Sequence, residues 1–531
     1  MTKLVVFLCL LLLPVWVFTQ ERARIEVVHA DEWTYDKNKG EDITIIRGNA
    51  LFKHEAAFLY CDSAYLNENQ NSLDAFSNVH VIDNDTLHLW GDYLKYNGNS
   101  RLAVMQRNVK LKDPSTELYT DTLYYDRNTG SAYYTTGAEI FNGENVLNSI
   151  FGYYFTDEKL LFFKDSVELV NPDYRMYCDT LKYNTNTEVV YFQGPADIFN
   201  ENNRMYCENG FYDTKKDLAR FSKKVVLFYD EQILRADSLF YDNNTEYGQA
   251  FRNVIITDTS QNIEVRGQYS EYHRNEGFSF VTDSAFAMLF DDRDTLFLHA
   301  DTLLTYFNDS TQEAERLFAF YKAKFFRNDL QGMADSIAYS FVDSTISLFY
   351  SPVLWSEENQ LTADTIFIYT SGQRIRSMRL ANAAFIISVD EPSNFNQISG
   401  GEMHAWFIDN ALRRVDVFGN AQTIYYLRDE EDVLAGINKA ESGDMKIWVE
   451  DNKVVRIAYL SNPHAPLYPP EKFPEAERVL KGFQWLDQER PADPAGIFSW
   501  RIAPEGIRHS LDAMQPDTMG ADALRQKMPQ P

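Results

Sequence analysis

A phrase of about ten residues recurs along this chain at a spacing of roughly 29–34 residues, and a fixed period in that range means stacked repeats, not one globular core. It reads small residue, Asp, any residue, Leu or Ile, any residue, Tyr, then a polar turn. Clear copies are Thr120-Asp121-Thr122-Leu123-Tyr124-Tyr125, Cys178-Asp179-Thr180-Leu181-Lys182-Tyr183 and Ala236-Asp237-Ser238-Leu239-Phe240-Tyr241. Ala334-Asp335-Ser336-Ile337-Ala338-Tyr339 is close, and Ala300-Asp301-Thr302-Leu303-Leu304-Thr305-Tyr306 is stretched by a residue. Looser copies centre on Tyr153, Glu402 and Asp444. Together they make about fourteen rungs of ~30 residues between residues 25 and 460. Stacked at a strand spacing, they would build a slab of roughly 65–70 Å.

Each unit has two parts. The anchor phrase is followed by a turn such as Asp242-Asn243-Asn244-Thr245, and then by an alternating stretch such as Ala250-Phe251-Arg252-Asn253-Val254-Ile255-Ile256-Thr257-Asp258. Alternation rich in Val, Ile, Phe and Tyr reads as strand. Proline is scarce between residues 20 and 350, as continuous ladders require. The fold class is therefore all-β and repetitive. Residues two apart share a strand face, so the Leu and Tyr of each phrase point inward. That gives Leu94, Tyr96, Leu123, Tyr125, Leu181, Tyr183, Leu239, Tyr241, Leu303, Tyr306, Ile337, Tyr339 and Ile366 as an inner strip. Tyr124, Lys182, Phe240 and Leu304 then point outward. The small residue before Asp implies a tight corner, where the carboxylate can accept from backbone N–H groups. An interior strip of this kind is either a closed core or, if the sheets splay along one edge, a long apolar groove.

The net charge is −28. A chain that acidic repels phosphate backbones and has no Arg/Lys-rich face, which excludes nucleic acid as a partner. With 45% hydrophobic residues it is not disordered. Lys3 followed by the apolar run Leu4 to Leu13 reads as a secretory signal peptide over residues 1–19. Cys61, Cys178 and Cys207 would remain after cleavage; each precedes the acidic residue of a repeat, where other copies carry small side chains. Cys178 and Cys207 sit on adjacent copies, so a disulfide between them is conceivable. No phosphate loop, nucleophile elbow or metal-binding spacing is present, so no catalytic residue, metal or cofactor is assigned.

From about residue 461 the register ends. Residues 461–531 are Pro-rich, with Pro463, Pro466, Pro469, Pro470 and Pro474 in quick succession. This segment reads as a cap on the last rung followed by a tail of about twenty residues. A short helix is expected over 475–486.

The signal peptide, the all-β repeat and phrases such as Ile46-Arg47-Gly48-Asn49-Ala50-Leu51-Phe52 and Tyr191-Phe192-Gln193-Gly194-Pro195-Ala196 resemble the OstA/LptA-type periplasmic proteins of lipopolysaccharide transport. Phe76-Ser77-Asn78-Val79 and Phe251-Arg252-Asn253-Val254 keep the rhythm without the Gly. The resemblance covers residues 20–460, as one repeat domain or as two or more consecutive modules. It implies an open β-jellyroll, folded like a taco, whose interior shields the acyl chains of lipopolysaccharide. It further implies end-to-end strand pairing with other transport components or with itself, and a periplasmic location associated with the outer membrane. The inner strip named above would be the lipid-binding surface of a non-enzymatic bridge protein. Two other readings stay open: a structural or adhesive closed β-solenoid, and a carbohydrate-active β-helix enzyme.

Overall fold

The computed structural model describes residues 23–35 and 42–500, apart from 202, 292–293, 309, 312, 372–373, 392, 410, 430 and 451–452. The signal-peptide region and the tail beyond residue 500 lie outside the described residues. The chain forms two compact units that divide between Lys224 and Val225, inside the strand Leu218–Tyr229.

In the N-terminal unit, strands of 10–12 residues such as Ile43–His54, Ser72–Asp83 and Leu102–Lys112 follow one another as an antiparallel meander. The pairs of long strands have a register shift at mid-length, for example between Phe76 and Val79. There two successive residues take left-handed backbone angles: Ser77 and Asn78, Arg107 and Asn108, Asp165 and Ser166. That conformation costs a non-glycine residue roughly 1–2 kcal/mol and suits Asn best. Each strand is thereby folded into two half-strands, and the column of bends becomes the closed spine of a jellyroll. Where the turn is tightest the chain uses glycine: a Cβ on Gly48 (φ +76°) would collide with Asp31.

The anchor aspartates hold these bends, but mostly not through backbone N–H groups as expected. Asn78 Nδ2 donates to Asp62 (2.8 Å), Asn108 to Asp92 (2.7 Å), Asn49 to Asp31 (2.9 Å) and Asn253 to Asp237 (3.1 Å). The Asn of the alternating stretch and the Asp of the anchor are thus one device on neighbouring strands. Only isolated copies use the backbone, as where Gly419 N–H donates to Asp444 at 3.2 Å.

The looser copies are shifted from their expected centres. Gly152 and Tyr154 pair with the inward Phe163 and Leu161, so Ile150, not Tyr153, stands at the Asp position. Gly152 replaces the usual Leu because the Tyr134 ring fills its place, within 2.4 Å of where a Cβ would stand. Near Glu402 and Asp444 the inward residues are Met403, Ala405, Met445 and Ile447, one position earlier than those centres imply.

The C-terminal unit repeats the bent-strand scheme with longer strands, up to Arg374–Glu391 and Ala411–Arg428. Its inner rows from Val281 to Val449 form one packed cluster that includes both half-sheets, with Leu303, Ile366, Leu380, Met403 and Val417 at its centre. Residues 461–500 do not cap the last strand alone. They run back across the outer face of the second half-sheet, from Glu441, which bridges to His464, as far as Phe286 and His299, which meet Phe498. The expected helix over 475–486 is a single 3₁₀ turn, Glu475–Glu477, because the segment is held by side chains beneath it and not by its own ladder.

Candidate functional site

The expected inner strip is an inner strip. Leu94 pairs with Ala75 and Met105, Leu123 with Met105, and Leu181 with Phe163 and Phe192, all on the side that faces the other half-sheet. Leu123 is 1% exposed. Leu239, Ile337 and Ile366 lie in the same inner row, and Tyr96, Tyr125, Tyr183, Tyr241 and Tyr339 in the row beside it. Tyr306 is the exception. It stands three positions after Leu303, so alternation puts it on the outer face opposite Phe278, and Thr305 takes the inner place. Tyr124, Lys182, Phe240 and Leu304 are outward; Leu304 is nonetheless 2% exposed, paired with Phe280 and Phe318.

The tyrosines do more than line the wall. At the mouth of the N-terminal unit, opposite the spine, they reach across to the far end of the other half-sheet. Tyr96 O–H lies 2.7 Å from His54 Nδ1, and Tyr154 O–H donates to Asp113 at 2.6 Å. Tyr125 reaches Asp83 at 3.4 Å. Arg127, in the turn after Glu117–Asp126, ties this lacing together. Its Nε and Nη2 donate to the two Asp83 oxygens at 3.0 and 3.1 Å, and Nη1 donates to the Tyr96 hydroxyl oxygen at 3.1 Å. Glu55 lies 3.5 Å from the same guanidinium. His54 Nε2 also meets Ala23 O at 3.1 Å, and Asn71 Nδ2 donates to that same carbonyl at 3.0 Å. The first described residues are thus stitched to both half-sheets.

Burial pushes the Tyr96, Tyr125 and Tyr154 hydroxyls above the usual phenol range, with Asp83 adding to the effect on Tyr125 and Asp113 on Tyr154. Burial works against the Arg127 charge, and the bonds to Asp83 and Tyr96 outweigh it. A buried, bidentate pair of this kind is costly to break from one side only, by about 3–5 kcal/mol.

Beneath the lacing lies a cavity of about 40 Å³, floored by Phe52, Leu59, Leu73, Leu89 and Leu94 and rimmed by His54, Asp83, Tyr96, Tyr125 and Arg127. It has room for about three or four waters at most, about 10–15 Å³ being needed for each.

The family comparison bears on this same unit: residues 22–179 match the model for OstA-like protein. This part of the chain is OstA-like. Among solved structures, LptH, the LptA-homologous periplasmic component of the lipopolysaccharide transport device of Pseudomonas aeruginosa, aligns at 15% identity over 20% of this chain and 75% of its own. Its TM-score is 0.18, and a likeness at that level carries no argument. No curated protein matches. The OstA-like stretch contains the whole lacing, from Ala23 to Tyr154.

The lacing residues His54, Asp83, Asp113 and Arg127 escape the repeat reading because they close strands or sit in turns, outside the anchor phrase. One signal does exist in the sequence: His54, Asp83 and Asp113 stand 41–42 residues before Tyr96, Tyr125 and Tyr154. The cysteines are buried and free. Cys178 and Cys207 both pair with Ala196 from opposite sides, so a whole strand separates them. Two strand spacings are roughly 9.5 Å, beyond the ~7 Å limit for a disulfide; that pairing is ruled out in this fold. Among the described residues, no three His, Cys, Asp or Glu side chains converge as a metal ion would need. No helix among them is long and apolar enough to cross a membrane.

Proposed function

We propose that this chain is a non-enzymatic periplasmic protein that shields the acyl chains of lipopolysaccharide between its half-sheets on the way to the outer membrane. The observation that carries the reading is the inner strip of the OstA-like unit. From Leu66 to Phe192 both walls are apolar, while the rim above them is polar. An amphiphile needs that division, because each methylene moved from water to such a wall gains about 0.8 kcal/mol while the sugars stay hydrated at the rim. Docking to other transport components by strand pairing belongs to the same proposal. Its support is the short strands Glu26–His29 and Glu32–Tyr35, which pair with Ile43–His54 and leave Val28, Trp33 and Tyr35 exposed.

A second reading has its own observation. The inner rows of the C-terminal unit are packed as a core, which favours a structural role for that part.

Binding of purified full chain to lipopolysaccharide, read by native mass spectrometry with competitors, tests the proposal. A long-chain fatty acid is expected to displace the lipid and the free core oligosaccharide to leave it bound. Displacement by the oligosaccharide alone, or no binding, would overturn it.

A further inference from the structure

We propose that the Arg127 lacing is a latch which must open before an acyl chain can pass between the half-sheets of the N-terminal unit; this rests on the lipid-binding reading above. The cavity is too small for an acyl chain as it stands, so the walls have to part. What holds them at the mouth is specific. Arg127 leaves from a turn of the first half-sheet, and its acidic partners lie at the far edge of the second: Asp83 ends Ser72–Asp83, and Glu55 stands in the turn just after Ile43–His54. Tyr96 and His54 close the same gap. One side chain thus joins both walls directly above the apolar floor, and Asp83 accepts two of its hydrogen bonds and that of the Tyr125 hydroxyl. Loss of Arg127 releases Asp83, Glu55, Tyr96 and His54 at once, because the guanidinium is their common partner. A pair that merely stabilised the fold could sit anywhere on the sheet; this one rims the cavity.

The latch acts on the rate of uptake, so stopped-flow mixing of the full chain with a dansyl-labelled C11 fatty acid reads it. Arg127→Gln is expected to raise the association rate at least about ten-fold, because more than one restraint is lost together. Tyr96→Phe keeps the ring packed and removes one hydroxyl; it is expected to give a smaller rise in the same direction, and it carries the test should the arginine variant fail to fold. Tyr154→Phe breaks the neighbouring lace, which Arg127 does not touch, and is expected to leave the rate near wild type. Uptake by wild type with no acceleration in either Arg127→Gln or Tyr96→Phe would overturn the latch and leave the lipid reading standing. No uptake by any of the four proteins would overturn both.

Discussion

At the residue scale, the repeat's most regular letters serve the backbone first. Asp62, Asp92 and Asp237 hold an asparagine that sits in a left-handed bend, and the small residue before each leaves room for it. Cys61, Cys178 and Cys207 occupy that small position. Burial pushes each thiol up to about 12 from an ordinary 9.0. The unfolded chain therefore loses these protons first, and fewer protons bound in the unfolded state means stability falls with rising pH. The contribution is intact below about pH 9 and declines as the pH climbs toward about 12. The three thiols are accordingly expected to be unreactive toward a water-soluble disulfide reagent at pH 8, reacting only at the rate of local opening, and to form no internal disulfide under oxidation. Prompt labelling of the folded chain would contradict their placement.

At the element scale, the C-terminal segment is read by glutamines. Gln397 Oε1 accepts from Leu480 N–H (2.8 Å) while its Nε2 donates to the Arg478 carbonyl (2.8 Å). Gln360 does the same for Leu486 N–H (2.7 Å) and the Gln484 carbonyl (2.6 Å). Each amide thus stands in for a strand partner, on a face whose neighbours Trp355, Ile387 and Ile424 are apolar and buried. Further along, Arg490 donates to Gln331 (2.8 Å) and Lys324 to the Ser499 carbonyl (3.0 Å). Replacing Gln360 and Gln397 together by Ala removes four bonds to a covered backbone, a loss of about 2–4 kcal/mol. Hydrogen exchange at the Leu480 and Leu486 amides is expected to quicken by a factor of roughly 30 or more, with proteolysis opening between them. Unchanged protection would mean that Phe473, Leu480 and Trp485 hold the segment without the glutamines.

These elements also mark where the sequence could be read and where it could not. Leu123 and Tyr125 are legible as inward because faces alternate along the uninterrupted half-strand that carries both. Tyr306 was misplaced for the same reason, since one extra residue in its phrase reverses the face. The Arg127 lacing is not legible from the repeat alone, because Asp83, Glu55 and His54 lie more than one period from Arg127 and outside the anchor phrase. Nor is the path of residues 461–500. Its grip comes from Gln331, Gln360 and Gln397, outward positions where a repeat reading expects solvent.

At the scale of the molecule, the two units treat one architecture differently. The N-terminal unit keeps an apolar cavity under a polar latch, and the C-terminal unit packs its inner rows from Val281 to Val449 as one cluster and covers its outer face with its own chain. The lipid role proposed here belongs first to the OstA-like unit. Site-specific photocrosslinking in cells tests that claim most directly, with the probe at inward Leu123 and Leu181, at outward Tyr124 and Lys182, and at Ile366 in the packed cluster. The account predicts lipopolysaccharide adducts at Leu123 and Leu181 and none at Tyr124 or Lys182, with Ile366 reacting weakly if at all. Adducts confined to the outward positions, or none anywhere in a folded and exported chain, would contradict it.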